Sequence, residues 1–151
     1  MSGGQTGVDR FALDWAIRNN ISHGGWCPKG RRSEDGLIPI HYDLKESAST
    51  GYKSRTRKNV RDAHGTLLLT PTRELTGGTL LTRNIAQNNY LSHLLHLCPG
   101  DKWHGQIKSF ISQYSIEILN VAGPRESSLP PDFDQFVYAV LNETLGKDKK
   151  Y

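Results

Sequence analysis

The residues best suited to chemistry stand at the start of the sequence. Ser2-Gly3-Gly4-Gln5-Thr6-Gly7-Val8-Asp9-Arg10 sets three glycines, two hydroxyls and a carboxylate around the start of an amphipathic segment. Glycine admits positive φ and lets a ligand approach the backbone. The first amides of a helix are unpaired and lie at the positive end of its dipole. A glycine-rich turn feeding a helix is therefore a ready seat for an anion, phosphate above all. The backbone of Gly3, Gly4, Gln5, Thr6 and Gly7 is the first candidate for such a cradle. The alternative is a plain strand-to-helix turn, because the spacing fits neither G-x-G-x-x-G nor the Walker pattern. Asp9 suits the helix dipole but would repel an adjacent phosphate; a hydroxyl contact, or a role as general base or polariser, fits it better.

Two further turns repeat the device. Thr76, Gly77, Gly78 and Thr79 open a second helical segment after an apolar run, and Ala122 to Ser127 brings Gly123, Arg125 and Ser127 to the end of another. Each could bind an anion; each could also be a capping turn, with Arg125 a surface arginine. Lys29, Arg31 and Arg32 share one long charged loop with Glu34 and Asp35, and fit either closure over an anionic ligand or a solvated loop. Lys53, Arg55, Arg57, Lys58 and Arg61 read as a solvated face. Cys27 reads as a small buried thiol. None of the histidines has a partner at metal-ligand spacing, so no protein metal site is expected.

The elements that must position these groups follow from periodicity. Val8, Phe11, Ala12, Trp15 and Ala16 recur at i, i+3, i+4, i+7, i+8, the stripe of a helix that Asn19-Asn20 ends. Ile21 to Trp26 reads as a short strand or extended turn, 27–36 as a loop, 37–44 as irregular, and 52–62 as a basic helix. Gly65 to Thr70 is a buried strand. The helix after Gly77-Gly78-Thr79 is expected to turn Leu80, Leu81, Ile85 and Ala86 inward. Tyr90–Leu97 and Ile116–Val121 are the remaining strands. Asp101 is expected to cap a helix carrying Trp103, Ile107, Phe110, Ile111 and Tyr114. Asp132 and Gln135 form a capping box for a last helix with Phe133, Phe136, Val137, Val140, Leu141 and Leu145 as its stripe. Strands alternating with helices give an α/β class: a Rossmann-like, three-layer fold with a mainly parallel central sheet. In such sheets ligands bind beyond the strands' carboxyl ends, so the turns at 3–7, 71–79 and 122–127 should converge. Such a turn normally follows a strand, and only Met1 and Ser2 stand before Gly3.

Composition sets the bounds. A chain of 151 residues suits one domain, here 1–146, with 147–151 a frayed charged tail. Apolar residues make up 36% and mean hydropathy is −0.56, so surface and loops are polar. No apolar run nears the ~20 residues of a membrane span, and the glycine turn at the start does not read as a secretory leader. Two distant cysteines suit a reduced, cytoplasmic setting. A net charge of +4 is too mild to argue for nucleic acid, and the aromatics form no stacking platform.

Taken together, SGGQTGVDR, GGWCPKGRRSEDG, RTRKNVRDAHGTLLLT, LTGGTLLT and LNVAGPRES resemble the molybdenum cofactor carrier proteins, the circularly permuted YpsA-related branch of the SLOG superfamily. The resemblance runs over residues 2–127 in the same order. It implies a Rossmann-like fold, a homo-oligomer (dimer or tetramer), and a pocket for molybdenum cofactor (molybdopterin) or a nucleotide. SLOG relatives include phosphoribohydrolases whose signature is a paired-glycine loop followed by a threonine and an acid. Gly3-Gly4, Gly7 and Asp9 resemble that loop, with aspartate where the enzymes use glutamate; the arginine of their other signature has no match here. A non-enzymatic carrier is the first reading. Behind it stand a nucleoside 5′-monophosphate phosphoribohydrolase, with Asp9 or Glu126 assisting cleavage of the N-glycosidic bond, and a nucleotide-sensing module.

Overall fold

The computed structural model describes residues 1–88 and 92–145. Three parallel strands form the main sheet: β5 (Gly65–Leu69) lies between β6 (His93–Leu97) and β7 (Leu119–Ala122). β1 (Trp26–Cys27) and β4 (Lys45–Glu46) form a second parallel pair. β2 (Arg32–Ser33) and β3 (Gly36–Leu37) make an antiparallel hairpin inside the expected 27–36 loop. Met1 and Ser2, just before Gly3, lie alongside β7. The Met1 nitrogen donates to the Leu119 carbonyl (2.6 Å) and Val121 N–H to the Met1 carbonyl (2.9 Å). On the other side, Ser2 N–H donates to the Gly24 carbonyl (3.0 Å), so the two residues bridge β7 to the run leading into β1.

Helices cover both faces of the sheet. α1 (Val8–Arg18), α4 (Gln106–Gln113) and α5 (Phe133–Thr144) bury their apolar stripes against Leu67, Leu69 and Val121. α2 (Tyr52–Arg61) packs on α3 (Gly77–Asn88), and α3 on β5 and β6. Period-2 alternation along β5 turns Thr66 away from the Leu67/Leu69 cluster, and its hydroxyl accepts from buried Asn120 (3.3 Å). A smaller core joins Leu13, Cys27, Ile38, Tyr42 and Leu44, which confirms Cys27 as a buried thiol.

Several expected details shift. On α3 the buried positions are Thr79, Thr82 and Ala86; Leu80, Leu81 and Ile85 are half-buried, because the stripe against the sheet and α2 is rotated by one residue. Asp101 caps no helix. α4 starts at Gln106 behind a left-handed Gly105, and the Asp101 carboxylate instead accepts Cys98 N–H (2.8 Å) and pairs with Arg73. Asp132 stands at the N-cap of α5, but its backbone is left-handed (φ 60°) and its side chain makes no cap bond, so the capping box does not form. β7 begins three residues later than expected, as Glu117 and Ile118 N–H both turn to His64 Nδ1 (3.1 and 3.2 Å). The Tyr90–Leu91 start of the third expected strand and the 147–151 tail lie outside the described residues.

The hairpin is fastened to α1 through charge. Arg10 grips both Asp35 carboxylate oxygens (2.6 and 2.9 Å) and the Ser33 hydroxyl (2.9 Å). Those bonds lower the Asp35 pKa from 3.8 to about 2. A carboxyl with a depressed folded pKa stabilises when ionised. The contribution is complete above pH 3.8 and disappears as pH falls towards about 2. Amide exchange in residues 32–37 should therefore accelerate over that window in wild type, and show no such step in Asp35→Asn.

Gly7 decides where α1 begins. Its φ is +80°, and an added Cβ would lie 2.5 Å from the Pro124 carbonyl oxygen and 2.6 Å from the Glu126 nitrogen. Gly7→Ala should lower unfolding free energy by about 1–3 kcal/mol from backbone strain alone, more with the clash, as read by urea denaturation.

Candidate functional site

The three turns converge. A cleft of about 870 Å³ opens at the carboxyl ends of β5 and β7, within the range of small-molecule sites. Gly3, Gln5 and Asp9 of the first turn line it, with Thr70 to Thr72 and Glu74 to Thr79 of the second and Ala122 to Arg125 of the third. A further wall is α2, through Tyr52, Arg55, Thr56 and Asn59.

At its centre is a buried ion pair. Arg55 Nη1 lies 2.9 Å from Asp9 Oδ2, with side chains 13% and 6% exposed. The same oxygen accepts Gln5 N–H at 3.2 Å. Burial raises the Asp9 pKa; the Arg55 charge and hydrogen bond oppose it without cancelling it. Gly3 makes the pair possible, since a Cβ there would stand 1.5 Å from Arg55 Nη1. Gln5 Oε1 accepts Thr6 N–H (3.0 Å) and Glu34 N–H (2.9 Å). Gln5 Nε2 and Arg55 Nε are buried with no partner among the described residues. Unmet donors at a cleft wall are a debt that an acceptor-bearing ligand could cancel.

Arg55 is the residue the sequence reading missed, having been folded into a solvated basic face. The signal was present: Tyr52, Arg55, Thr56 and Asn59 recur at i, i+3, i+4, i+7 and share one side of α2, while Lys53, Arg57 and Arg61 are exposed. The Tyr52 ring lies 5.7 Å from both the Arg55 and the Arg125 guanidinium carbons. Arg125 is half-exposed at the cleft wall. Opposite, Gly77, Gly78 and Thr79 begin α3, and their amides have no partner among the described residues. That helix end and Arg125 together make a cleft suited to an anion.

The other expected site residues stand elsewhere. Gly4, Thr6 and Gly7 do not line the cleft, and the amides of Gln5, Thr6 and Val8 are taken by Asp9, Gln5 and Pro124. Arg31 donates to the carbonyls of Ile38, Pro39, Tyr42 and Leu44, tying the 37–44 segment rather than reaching for a ligand. Arg32 donates to the Thr50 carbonyl, and Lys29 is exposed. Glu126 lines a separate small groove with Phe11 and Phe133. Ser127 lies beside the cleft and binds Glu34. Among the described residues no three His, Cys, Asp or Glu side chains could hold a metal ion.

Comparisons place this architecture. A crystal structure from Syntrophus aciditrophicus SB, of a protein described as a "Putative molybdenum carrier protein", is 39% identical. The alignment covers 93% of this chain and 90% of that one, with a TM-score of 0.86. No curated protein matches. The sequence profile of the circularly permutated YpsA SLOG family matches residues 1–145. The chain belongs to that family.

Proposed function

We propose that this protein binds and carries molybdenum cofactor, holding the phosphate-bearing pterin in the cleft between the three turns. The observation that carries the reading is the convergence of Arg125, the open amides of Gly77–Thr79 and the unmet donors of Gln5 and Arg55 on one cavity of about 870 Å³. A relative described as a "Putative molybdenum carrier protein" supports a molybdenum-bearing cargo. The cofactor's dithiolene already holds its metal, so the absence of a three-ligand cluster among the described residues is compatible with the cargo. The reading extends to a cytoplasmic homo-oligomer, in which each subunit presents its own cleft.

Native mass spectrometry on protein purified from a host that makes the cofactor reports subunit count and ligand mass together. The expected result is an oligomer retaining molybdopterin, with or without metal; a retained nucleotide would overturn the carrier reading. In calorimetry, Arg125→Ala should weaken cofactor binding by roughly tenfold to a hundredfold, the weight of one charge-assisted hydrogen bond.

The buried Asp9–Arg55 pair favours a second reading, a nucleoside 5′-monophosphate phosphoribohydrolase. Asp9 would stabilise the positive charge that develops on the ribose as the N-glycosidic bond breaks, with Arg55 favouring the ionised carboxylate against the cost of burial. Adenine released from AMP by wild type, and lost in Asp9→Asn, is the outcome this reading requires; no release from wild type removes it.

A further inference from the structure

The Thr6 hydroxyl of the first turn already holds an anionic group, and the protein itself supplies it. Glu34, in the turn between β2 and β3, sets one carboxylate oxygen against the Thr6 hydroxyl and the Ser127 amide, the latter at 3.1 Å. Its other oxygen accepts the Ser127 hydroxyl at 2.6 Å and lies 3.9 Å from Arg125 Nε. Glu126 N–H donates to Thr6 Oγ1 (3.2 Å), which leaves the Thr6 proton for Glu34. Two hydroxyls, an amide and a guanidinium therefore converge on one carboxylate, and they form a donor set that a phosphate monoester would also satisfy. Partial burial pushes the Glu34 pKa up, but the bonds from Ser127 and Thr6 and the Arg125 charge outweigh it, so the group stays ionised at neutral pH.

The carboxylate is free to leave without unfastening the hairpin. The backbone of Glu34 is held separately, through its N–H to Gln5 Oε1, and its neighbour Asp35 is held by Arg10. Arg125 belongs both to this seat and to the cleft wall, which makes the two continuous.

We propose that Thr6, Ser127 and Arg125 form a phosphate-monoester subsite beside the cleft, joined to it through Arg125, and that the Glu34 carboxylate is its internal competitor, turning out to solvent when phosphate enters. The proposal rests on the cleft taking a phosphate-bearing ligand, yet the seat can be tested with inorganic phosphate alone. Phosphate is titrated by calorimetry at pH 7 into wild type, Glu34→Gln and the double variant Glu34→Gln/Ser127→Ala, each checked for folding by circular dichroism. Removing the competing charge should tighten phosphate binding by roughly tenfold or more, and loss of the Ser127 hydroxyl should reverse most of that gain. Unchanged or weaker binding in Glu34→Gln shows that Glu34 is only a tie between loops, and overturns the proposal. So does a gain that survives in the double variant, since the phosphate would then sit elsewhere. Should Glu34→Gln fail to fold, Glu34→Asp, which withdraws the carboxylate by one methylene, must give a gain in the same direction. A wild type that ignores molybdenum cofactor while Glu34→Gln still gains phosphate would defeat the carrier reading and leave this subsite standing; the reverse result would defeat only the subsite.

Discussion

The arrangement depends on one short insertion of backbone, Met1 and Ser2 between β7 and the segment entering β1. Buried peptide groups must find partners, and here the two residues satisfy Leu119 and Val121 on one side and Gly24 on the other. The fit is tight, since a Cβ on Gly25 would stand 2.0 Å from the Ser2 carbonyl oxygen. The Ser2 hydroxyl adds a bond to the Val121 carbonyl at 3.0 Å. Because the chain leaves this bridge at Gly3, the first glycine turn emerges beside the carboxyl end of β7, next to the third turn. The ladder that joins the two parts of the sheet thereby also sets one wall of the cleft.

Electrostatics then sort the cleft into a neutralised centre and a positive edge. Burying Arg55 without Asp9, or Asp9 without Arg55, would leave an uncompensated charge in a poorly hydrated site, which is far costlier than the pair. The pair contributes no net charge, so attraction for an anion falls to groups that remain open: Arg125 and the start of α3. Tyr52, within reach of both guanidinium groups, keeps the two cations apart while offering each an aromatic face. On the polar face of the sheet Thr66 and Asn120 bond to each other, and Asn120 lines the cleft. This polar face also fits the low apolar content of the chain.

Much of this was legible in the sequence, and the exceptions share a cause. Helical stripes and the apolar run at β5 are local signals, and they held for α1, α5 and β5; α2 was legible as a helix, though not its buried face. The convergence of three turns followed from the parallel alternation of strands and helices. What failed was decided by partners and faces that the local pattern does not show. The α3 stripe was misplaced because α2 takes up one of its flanks. Asp101 was drawn from capping by Cys98 and Arg73, and Arg31 was drawn from the ligand by four carbonyls of a segment that reads as formless. Arg55 was lost because charge was counted by stretch rather than by helical face.

The two glycine turns show how far a motif can be trusted. Both place glycines and a threonine before a helix, and both looked like phosphate cradles. In the first, Gly7 lets the backbone approach Pro124–Glu126 closely, and the amides of Gln5, Thr6 and Val8 are bonded within the chain. In the second, an added Cβ on Gly77 or Gly78 would meet nothing within 4 Å, and the amides stay open to the cleft. The chemistry of a glycine-rich turn specifies that donors will be presented; whether a ligand or the protein receives them depends on what the rest of the chain packs against the turn. Here the chain supplies a carboxylate to the first turn and leaves the second to whatever enters.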